Sequence, residues 1–526
     1  MEHHRQRVRL YNCQSKFIIF RFWQKIIQIS ILVIVLSCGV NDYKNVTLSG
    51  EIDKDIALFK NIFSRDAVLR TREILIGEGL RCYMIFMDGM VNSAQQGETV
   101  VEALVEANLP NDCEVNCKYI AQNILFANEV TETSKLPDML RAILYGDTLL
   151  IVDKNKTALT INTKGWRTRG ISEPDSERVL QGPREGFDEA AMFNLAMIRR
   201  KLLTPDLCIE LMRIGRRSDT LVFVCYLGSL ANQNTVKELK KRLEKIDIDG
   251  ILDSNYIAEN IRDNKYSLLK TMGSTERPDI VAARLLEGRI ALVVDGTPVV
   301  LTLPYLFSEN FQSDEDYYIN FTLASFTRAL RWICFFITVS VPGVFVALVT
   351  HHFDLLPTHF ALTVAKLRVG VPISSVIECL SLVLAFEILK EAGLRMQQNL
   401  GHALGVVGGL VVGQAAVEAG IISAPMLIAV AFSAIAGLMV PRLMSAVFYL
   451  RIFIIVACAF LGLWGFFVLS SLFVIRVFSL KSFGVDYTES FAHPKFQTLK
   501  DTFFRAPWKF MKTRPMFNKN RFRKGK

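Results

Sequence analysis

A stretch near the C-terminal end constrains the fold of this chain most strongly: residues 404–420 read LGVVGGLVVGQAAVEAG. It is apolar enough to lie in a lipid bilayer, and its glycines recur four residues apart on one helix face: Gly405, Gly409 and Gly413. Small residues at this spacing let helix backbones approach closely inside a membrane. The stretch also holds Gln414 and Glu418, and an intramembrane carboxylate marks a site that faces protein or water. The sequence therefore predicts a membrane protein with a close-packed, partly polar interior.

Charge is distributed unevenly along the chain, although 21% of its residues are charged. Residues 48–327 mix charged and apolar residues like a soluble domain, whereas residues 331–480 are mostly apolar. From Lys481 onward, 12 Lys and Arg residues stand against 3 Asp and Glu residues, and they supply most of the net charge of +10. A basic tail directly after a transmembrane segment indicates cytoplasmic retention and attraction to anionic lipid headgroups rather than nucleic-acid binding.

The alternation of helix and strand patterns predicts an α+β soluble region followed by an all-helical region. We expect two small α/β subdomains on the cytoplasmic side, and then a polytopic helical membrane domain. A strand pair, Arg289 to Leu303, turns at Asp295-Gly296 and leads toward the membrane. The predicted divisions are an N-terminal extension outside the folded core (1–47), subdomain 1 (48–180), subdomain 2 (181–288), a linker with the strand pair (289–330), a transmembrane domain of about four to six spans (331–480) and a basic cytoplasmic tail (481–526).

The N-terminal extension is open to three interpretations. Basic residues precede the apolar run Ile26 to Leu36, which is followed by Ser37-Cys38-Gly39. This pattern is typical of a signal peptide or lipoprotein anchor, but it also fits an extra membrane-touching helix. The third interpretation is a translated upstream stretch that lies outside the folded unit. A cleaved signal would export the soluble region, whose cysteines show no disulfide framework and favour a reducing compartment.

Five hydrophobic segments make up the apolar half: Trp332–Thr350, Ile373–Leu389, Ala403–Ala419, Ile421–Val440 and Val447–Val474. Arg328 and Arg331 precede the first segment, and the basic tail follows the last. The positive-inside tendency therefore predicts that both flanks lie in the cytoplasm, which requires an even number of crossings. Because residues 373–389 carry carboxylates that must avoid lipid, we expect that segment to be an interior or re-entrant helix.

Five polar residues in this half are candidates for the lining or gate of a cation path: Glu378, Glu387, Glu391, Gln414 and Glu418. Glu378 and Glu387 are separated by about 180° around a helix, so they cannot face one path unless the helix is broken or wet on both sides. Glu387 and Glu391 share a face. The alternative interpretation is ion pairing with Lys390 and Arg395, and Glu418 could simply reach the headgroups.

The soluble region shows no pattern for catalysis, nucleotide binding or metal binding, so we expect neither an enzyme nor a cofactor. Residues 182–187 lack the spacing of a phosphate-binding loop, and Cys113 and Cys117 have no matching ligand pair. Arg184 and Glu185 are expected to join the two subdomains through charged contacts. The cluster Arg199-Arg200-Lys201 ends a predicted helix, where positive charge suits the helix dipole, and we expect it to be solvated or to contact another subunit.

An ordered set of short motifs across residues 48–480 resembles the A-subunit family of the spore germinant receptors, which are membrane proteins of endospore-forming bacteria. The motifs are Asp88-Gly89, Glu173-Pro174 with Glu177, GPREGF (182–187), Asn194, IRRKL (198–202), Arg242-Leu243, IDIDG (246–250), ERPD (276–279), LEGR (286–289), VDGTP (294–298), DYY (316–318), Glu378, EILKEAG (387–393) and GQAAVEAG (413–420). Residues 1–47 have no counterpart in the family. Ile373-Ser374 replaces a frequent Phe-Pro, and residues 396–398 lack a common proline.

The resemblance implies a receptor subunit in the spore inner membrane. Family A subunits are expected to form an oligomeric channel, with a transporter-like B subunit that binds the nutrient and a lipoprotein C subunit. Nutrient binding would then trigger cation release and germination. Two alternatives stay open, a non-conducting membrane scaffold and the sporulation-stage paralogue of the same family. A secondary transporter is less favoured, because the membrane half shows no inverted repeat.

Overall fold

A computed structural model describes residues 39–76, 79–107, 116–166, 177, 181–395, 413–492, 500–515, 518, 522 and 523. The helices of the soluble region are α1 (Ile52–Ile62), α2 (the contiguous turns Ser93–Gln96, Gly97–Glu102 and Ala103–Glu106), α3 (Cys117–Asn123), α4 (Leu136–Tyr145), α5 (Ala191–Lys201), α6 (Gln233–Leu243), α7 (Ser254–Ile261) and α8 (Pro278–Leu286). The strands of this region are β1 (Leu69–Ile76), β2 (Leu80–Met87), β3 (Val130–Thr133), β4 (Thr148–Val152), β5 (Ala158–Ile161), β6 (Leu207–Ile214), β7 (Thr220–Leu227), β8 (Gly273–Thr275), β9 (Ile290–Val294) and β10 (Val300–Leu303).

The remaining part is mostly helical. Its helices are α9 (Phe321–Thr350), α10 (Thr358–Arg368), α11 (Ser375–Arg395), α12 (Ala424–Leu438), α13 (Met444–Leu461), α14 (Leu463–Ser479) and α15 (Glu489–Ala492), and residues 413–418 are also helical. Short 3-10 turns lie at Val40–Tyr43, Phe307–Phe311, Asp314–Tyr317, Phe353–Leu355 and Pro441–Leu443. After α14, β11 (Lys481–Ser482) and β12 (Val485–Asp486) form a small hairpin.

The two subdomains share one topology. The first sheet has the strand order β1-β2-β4-β5-β3 and the second has β6-β7-β9-β10-β8, and every neighbouring pair is antiparallel. In each subdomain one helix precedes the first strand, two helices follow the second strand, and one helix follows the third. The soluble region is therefore a structural duplication.

Each sheet is buried on both faces by helices, which explains why its central strands are nearly continuous apolar runs. In subdomain 1, α1 and α4 cover one face, and α2 and α3 cover the other. In subdomain 2, α5 and α8 cover one face, and α6 and α7 cover the other. The result is two three-layer units, each with its own core.

The structure moves two of the predicted domain boundaries. The predicted linker strands are β9 and β10, which lie inside the second sheet, so subdomain 2 continues well past residue 288. Part of the predicted N-terminal extension is packed rather than separate: Val40 and Tyr43 are buried in the first core with Leu48. Residues 1–38 lie outside the described residues.

The helical part also differs from the predicted segments. The segment 447–474, predicted as one span, is two helices. Gly462, which has a positive φ of 57°, ends α13 and precedes α14. Of the predicted segment 373–389, residues 375–389 belong to one unbroken helix, α11, and residues 373 and 374 precede it. Among the described residues, two helices could cross a membrane by length and composition, Phe321–Thr350 and Pro441–Leu461, and two shorter apolar helices are Ala424–Gly437 and Leu463–Ser479.

Candidate functional site

Glu378 is fully buried and joins two helices of the helical part. Its Oε1 accepts hydrogen bonds from the backbone N–H and the hydroxyl of Ser423, both at 2.6 Å. Ser423 is the N-cap residue of α12, so the carboxylate lies where a helix N-terminus favours negative charge. The other oxygen, Oε2, has no hydrogen-bond partner among the described atoms, and the nearest cation is Arg368, 3.8 Å away. Glu378 therefore holds α11 to α12 and keeps one buried oxygen unsatisfied.

Glu387 faces α13 rather than α12, as its position on the helix predicts. One oxygen contacts Lys390, one turn later on α11, and the other lies 3.9 Å from the guanidinium of Arg451 on α13. Arg451 is almost completely buried, so Glu387 is its nearest compensating charge. Since α11 is unbroken, Glu378 and Glu387 point to α12 and α13 respectively, and within one chain they do not share a path.

Glu391 forms the predicted surface ion pair. Its carboxylate lies 2.8 Å from Arg395, and both side chains are exposed. An exposed i, i+4 pair of this kind contributes little to stability.

Gln414 and Glu418 form a different arrangement. The Gln414 side-chain amide donates a hydrogen bond to Glu418 Oε1 at 2.9 Å, and both side chains are exposed on the surface of the single chain. The neighbouring residues are apolar, so these two groups present polar surface within an otherwise lipophilic segment. Of the five candidates, only Glu378 and Glu387 contact another described helix or its N-cap, whereas Glu391, Gln414 and Glu418 bond within their own helices.

Among the described glycines of the helical part, the closest contacts between helices lie at Gly465 and Gly343 rather than at Gly413. A Cβ added at Gly413 would lie 3.6 Å from Leu427, which is ordinary contact, whereas Gly405 and Gly409 lie outside the described residues. A Cβ on Gly465 would lie 2.3 Å from the carbonyl oxygen of Ala457, and one on Gly343 would lie 2.6 Å from the Ile454 side chain. These two glycines let α14 and α9 approach α13.

The two subdomains are joined by a buried ion pair that sequence reasoning missed. Arg199 on α5 pairs with Asp66, which precedes β1, and both side chains are almost completely buried. Burial raises the pKa of Asp66, while the positive charge of Arg199 opposes that shift. The chain beside Asp66 also bonds to subdomain 2, since Ala67 N–H donates to the Ile209 carbonyl at 2.8 Å.

The predicted contact residues Arg184 and Glu185 lie in the segment that leads into α5. Glu185 pairs with Lys201 at 2.8 Å and approaches Arg200 at 3.7 Å. The carboxylate therefore binds the C-terminal end of α5, the helix that carries the buried Arg199. The expected contact of Arg184 across the subdomain boundary stays a prediction.

A charge network connects the soluble region to the first apolar helix. Asp316 is buried between Arg328 at 3.0 Å and Arg331 at 2.9 Å, both on α9. Asp501 of the tail lies 2.6 Å from Arg328 and accepts a hydrogen bond from the Tyr317 hydroxyl at 2.7 Å. The two arginines that indicated membrane topology are thus bound to carboxylates of the same chain. Burial, together with the negative charge of Asp501, raises the pKa of Tyr317.

The basic tail packs on subdomain 2 instead of being free. Arg514 donates to the Leu286 carbonyl at 2.8 Å, and Arg523 lies 3.2 Å from Glu287. Burial acts to raise the pKa of Glu287, but the cations of Arg289, Arg284 and Arg523 outweigh it and lower the pKa. These contacts close the end of α8 with the C-terminal segment.

A cavity of about 570 Å³, lined by both charged and apolar residues, lies between subdomain 2 and the helical part. Arg442, in the turn between α12 and α13, faces it and donates to the carbonyls of Glu309 and Gln312 at 3.2 and 3.1 Å. The same guanidinium lies 3.3 Å from Asp314 and 3.7 Å from Glu177. Burial raises the pKa of Glu177, although a hydrogen bond from Thr275 opposes the shift. Arg442 therefore connects the helical part to the soluble region at a second point.

In the described part of the chain, no group of three or more His, Cys, Asp or Glu side chains could hold a metal ion. In the described residues, carboxylates and arginines connect helices to each other and to the soluble region. This arrangement supports electrostatic coupling between the helices and the soluble region.

Comparisons with known proteins point to one family. The family model for the Bacillus/Clostridium GerA spore germination protein matches residues 57–517. The chain is 38% identical over 488 residues to spore germination protein KA of Bacillus subtilis (strain 168), covering 91% of this chain and 89% of that protein. It is 35% identical over 453 residues to spore germination protein GerLA of Bacillus cereus, covering 85% and 92% respectively.

An uncharacterized membrane protein of Bacillus subtilis (strain 168), YfkQ, is 35% identical over 446 residues, covering 84% of this chain and 86% of that protein. Among solved structures, the N-terminal domain of the A subunit of the Bacillus megaterium spore germinant receptor GerK3 matches with 34% identity and a TM-score of 0.40, covering 50% of this chain and 98% of that chain. The family model and the curated relatives each span most of the sequence. The chain therefore belongs to the GerA family of Bacillus/Clostridium spore germination proteins.

Proposed function

We propose that this chain is the A-type subunit of a nutrient-sensing germinant receptor in the spore inner membrane, and that copies of it form a ligand-gated cation path. Family membership supports the germination role. The helical part, with its long apolar helices α9 and α13, supports insertion into a membrane. The partners would be a transporter-like B subunit, a lipoprotein C subunit, further copies of this chain and membrane lipids.

Contacts between the tail and the soluble region support a polytopic arrangement with both on the cytoplasmic side. Asp501 pairs with Arg328, and Arg523 pairs with Glu287, so residues on both flanks of the apolar helices meet. They must then lie on the same side of any membrane, which requires an even number of crossings between Phe321 and Ser479. The basic tail favours the cytoplasmic side, which is the spore core.

The observation that carries the cation path is the exposed pair Gln414 and Glu418. A carboxylate and an amide on an apolar segment are unfavourable against lipid, so they must face water or another subunit. Because no other described helix packs on them, the surface they form is available to line a path between copies. Glu378 and Glu387 act instead as helix joints in this geometry, since each is held by a neighbouring helix.

The test is cation flux from liposomes that contain the chain with its partner subunits, triggered by nutrient. We expect Glu418→Gln to fold and assemble normally but to release cations several-fold more slowly, because the negative potential along the path is lost. Glu244→Gln is the matched control, since Glu244 is an exposed carboxylate of the soluble region. A low protein level with normal release per molecule would instead make Glu418 a structural residue.

Two other functions stay open, and the flux assay tests the first of them. If the wild-type complex responds to nutrient without flux, the chain is a non-conducting scaffold or signalling subunit, a role that the charged joints around Arg442 and Asp316 would also suit. A sporulation-stage role for a paralogue is the second, because the chain is about equally similar to germination proteins and to an uncharacterized membrane protein. A germination defect after deletion would separate the receptor role from that one.

A further inference from the structure

We propose that residues 264–268 of subdomain 2, here the rim loop, lie on the lipid surface beside the last apolar helix. Tyr266 and Leu268 would enter the interfacial layer, and the neighbouring Lys265 and Lys270 would meet anionic headgroups. The proposal rests on the membrane insertion proposed above, and it adds a second attachment of the soluble region to the bilayer.

The position of the rim loop is fixed at both of its ends. Before the loop, Asp263 accepts a hydrogen bond from Phe483 N–H at 2.6 Å. After it, the carbonyls of Lys270 and Thr271 accept hydrogen bonds from the Tyr487 hydroxyl at 2.9 Å and the Ser482 hydroxyl at 2.7 Å. These partners belong to the β11–β12 hairpin and its flank, which follow the end of α14 at Ser479. Hydrogen bonds therefore hold the loop beside the end of an apolar helix.

The depth of the loop follows from the aromatic layer beneath it. Leu269 is buried in the same cluster as Trp332 of α9 and Leu480. The Tyr487 ring lies 5.8 Å from Phe307, which lies 5.9 Å from Trp332. Trp and Tyr are enriched where apolar helices leave the hydrocarbon, and Trp332 lies where the apolar run of α9 begins. The rim loop thus lies at the level of the membrane interface.

The exposed side chains of the loop match that environment. Tyr266 is 94% exposed and Leu268 is 52% exposed, although Leu269 between Leu268 and Lys270 is buried. A single exposed apolar residue is ordinary, but here a tyrosine and a leucine stand together between two lysines. A tyrosine with an apolar body and a polar tip suits the headgroup layer, and lysines beside it are attracted to anionic lipids. A protein surface would equally accept Tyr266, but it would not explain the position at the helix end.

Photocrosslinking in the full chain tests the proposal. Tyr266 is replaced by p-benzoylphenylalanine, and the protein is reconstituted into vesicles of phosphatidylethanolamine and phosphatidylglycerol, illuminated and analysed for lipid adducts by mass spectrometry. As the negative control, p-benzoylphenylalanine replaces Phe126, which is 68% exposed in subdomain 1. It is also placed at Trp464, which is 72% exposed on α14, as the reference for insertion.

We expect lipid adducts at 266 and 464, and several-fold fewer at 126. Lipid adducts at 464 without adducts at 266, or protein adducts at 266, would overturn the proposal while leaving membrane insertion intact. A lack of lipid adducts at 464 would overturn the insertion on which it rests. Replacing Lys265 and Lys270 by Glu should lower phosphatidylglycerol adducts at 266 several-fold, and an unchanged yield would exclude the role of charge.

Discussion

At the scale of residues, the basic cluster at the end of α5 shows what sequence reasoning could and could not reach. Its three members have different surroundings: Arg199 is buried against Asp66, Arg200 lies over the Trp166 ring at 5.6 Å, and Lys201 pairs with Glu185. A helix ending in cations predicts dipole stabilisation for all three alike. The partner of Arg199 lies 133 residues away in sequence, so no local pattern distinguishes this buried cation from its partly exposed neighbours.

Replacing Arg199 by Ala should strongly destabilise the soluble region. The change leaves the Asp66 carboxylate buried without its compensating charge, which typically costs about 3–5 kcal/mol. Thermal unfolding of the full chain in detergent measures the effect. Arg213→Ala is the control, because Arg213 pairs with Asp219 at an exposed site, and we expect little change there.

The double variant with Asp66→Leu and Arg199→Met gives the second test of the same pair. Because it removes both charges and keeps apolar volume, it should recover most of the lost stability. If the double variant is as unstable as Arg199→Ala, the hydrogen bonds of the pair rather than an unpaired charge explain the loss. Equal melting temperatures for Arg199→Ala and Arg213→Ala would contradict the buried-pair interpretation.

At the scale of elements, the alternating apolar patterns predicted the mixed α/β character of the soluble region. The predicted strand pair that turns at Gly296 appears as β9 and β10. The edge strands β1, β3, β6 and β8 were missed, because they are short or only partly buried and carry charged or small residues. Hydropathy could not separate α13 from α14, because a single glycine with positive φ breaks an uninterrupted apolar run.

The duplication was also missed, although the sequence carries its signal. In subdomain 1, Pro137-Asp138 begins a helix that ends at Gly146, and a buried strand then leads to Asp153. In subdomain 2, Pro278-Asp279, Gly288 and Asp295 hold the same places, with one extra residue in the helix turn. Both glycines have positive φ, 96° and 84°, as the left-handed end of a helix requires. An internal comparison of the sequence would have found this repeat.

The glycines of the helical part give a graded prediction for helix packing. An added Cβ would lie 2.3 Å from backbone at Gly465, 2.6 Å from the Cγ2 methyl of Ile454 at Gly343, and 3.6 Å from a side chain at Gly413. Alanine should therefore cost most at Gly465, less at Gly343, where the nearest atom is a side-chain methyl rather than backbone, and little at Gly413. Melting temperatures of the three alanine variants in detergent measure the order.

A different order would contradict the packing inferred for α9, α13 and α14. Gly413→Ala also tests the stripe that the sequence predicted, since its backbone makes no close contact within the single chain. If this variant melts normally but assembles or germinates poorly, Gly413 packs between copies. Normal assembly and a normal response would show that Gly413 makes no close helix contact, either within one chain or between copies.

At the scale of the whole molecule, the tail packs on the soluble region. The two ends of the helical part have different contacts. The tail reaches subdomain 2 and α9 through Arg523 and Asp501, which the composition of the tail could not reveal. At the other end, the His351 ring lies 2.8 Å from the Ala459 carbonyl, so the end of α9 meets the end of α13. The turn between α12 and α13 returns to the soluble region through Arg442.

This arrangement predicts the sidedness of three exposed positions, Arg217, Lys509 and Asp354. Arg217 lies in subdomain 2, Lys509 in the tail and Asp354 in the turn after α9. Because the tail packs on the soluble region and α9 is long enough to cross a bilayer of about 30 Å, cysteines at 217 and 509 should be shielded together from a membrane-impermeant maleimide. A cysteine at 354 should react from outside intact cells, with the wild-type chain as background for its native cysteines.

Reaction at 509 together with 354 would give an odd number of crossings, and it would mean that the tail cannot pack on the soluble region in the membrane. Shielding of all three positions until the cells are opened would instead place the turn after α9 on the cytoplasmic side, so that α9 would not cross the bilayer.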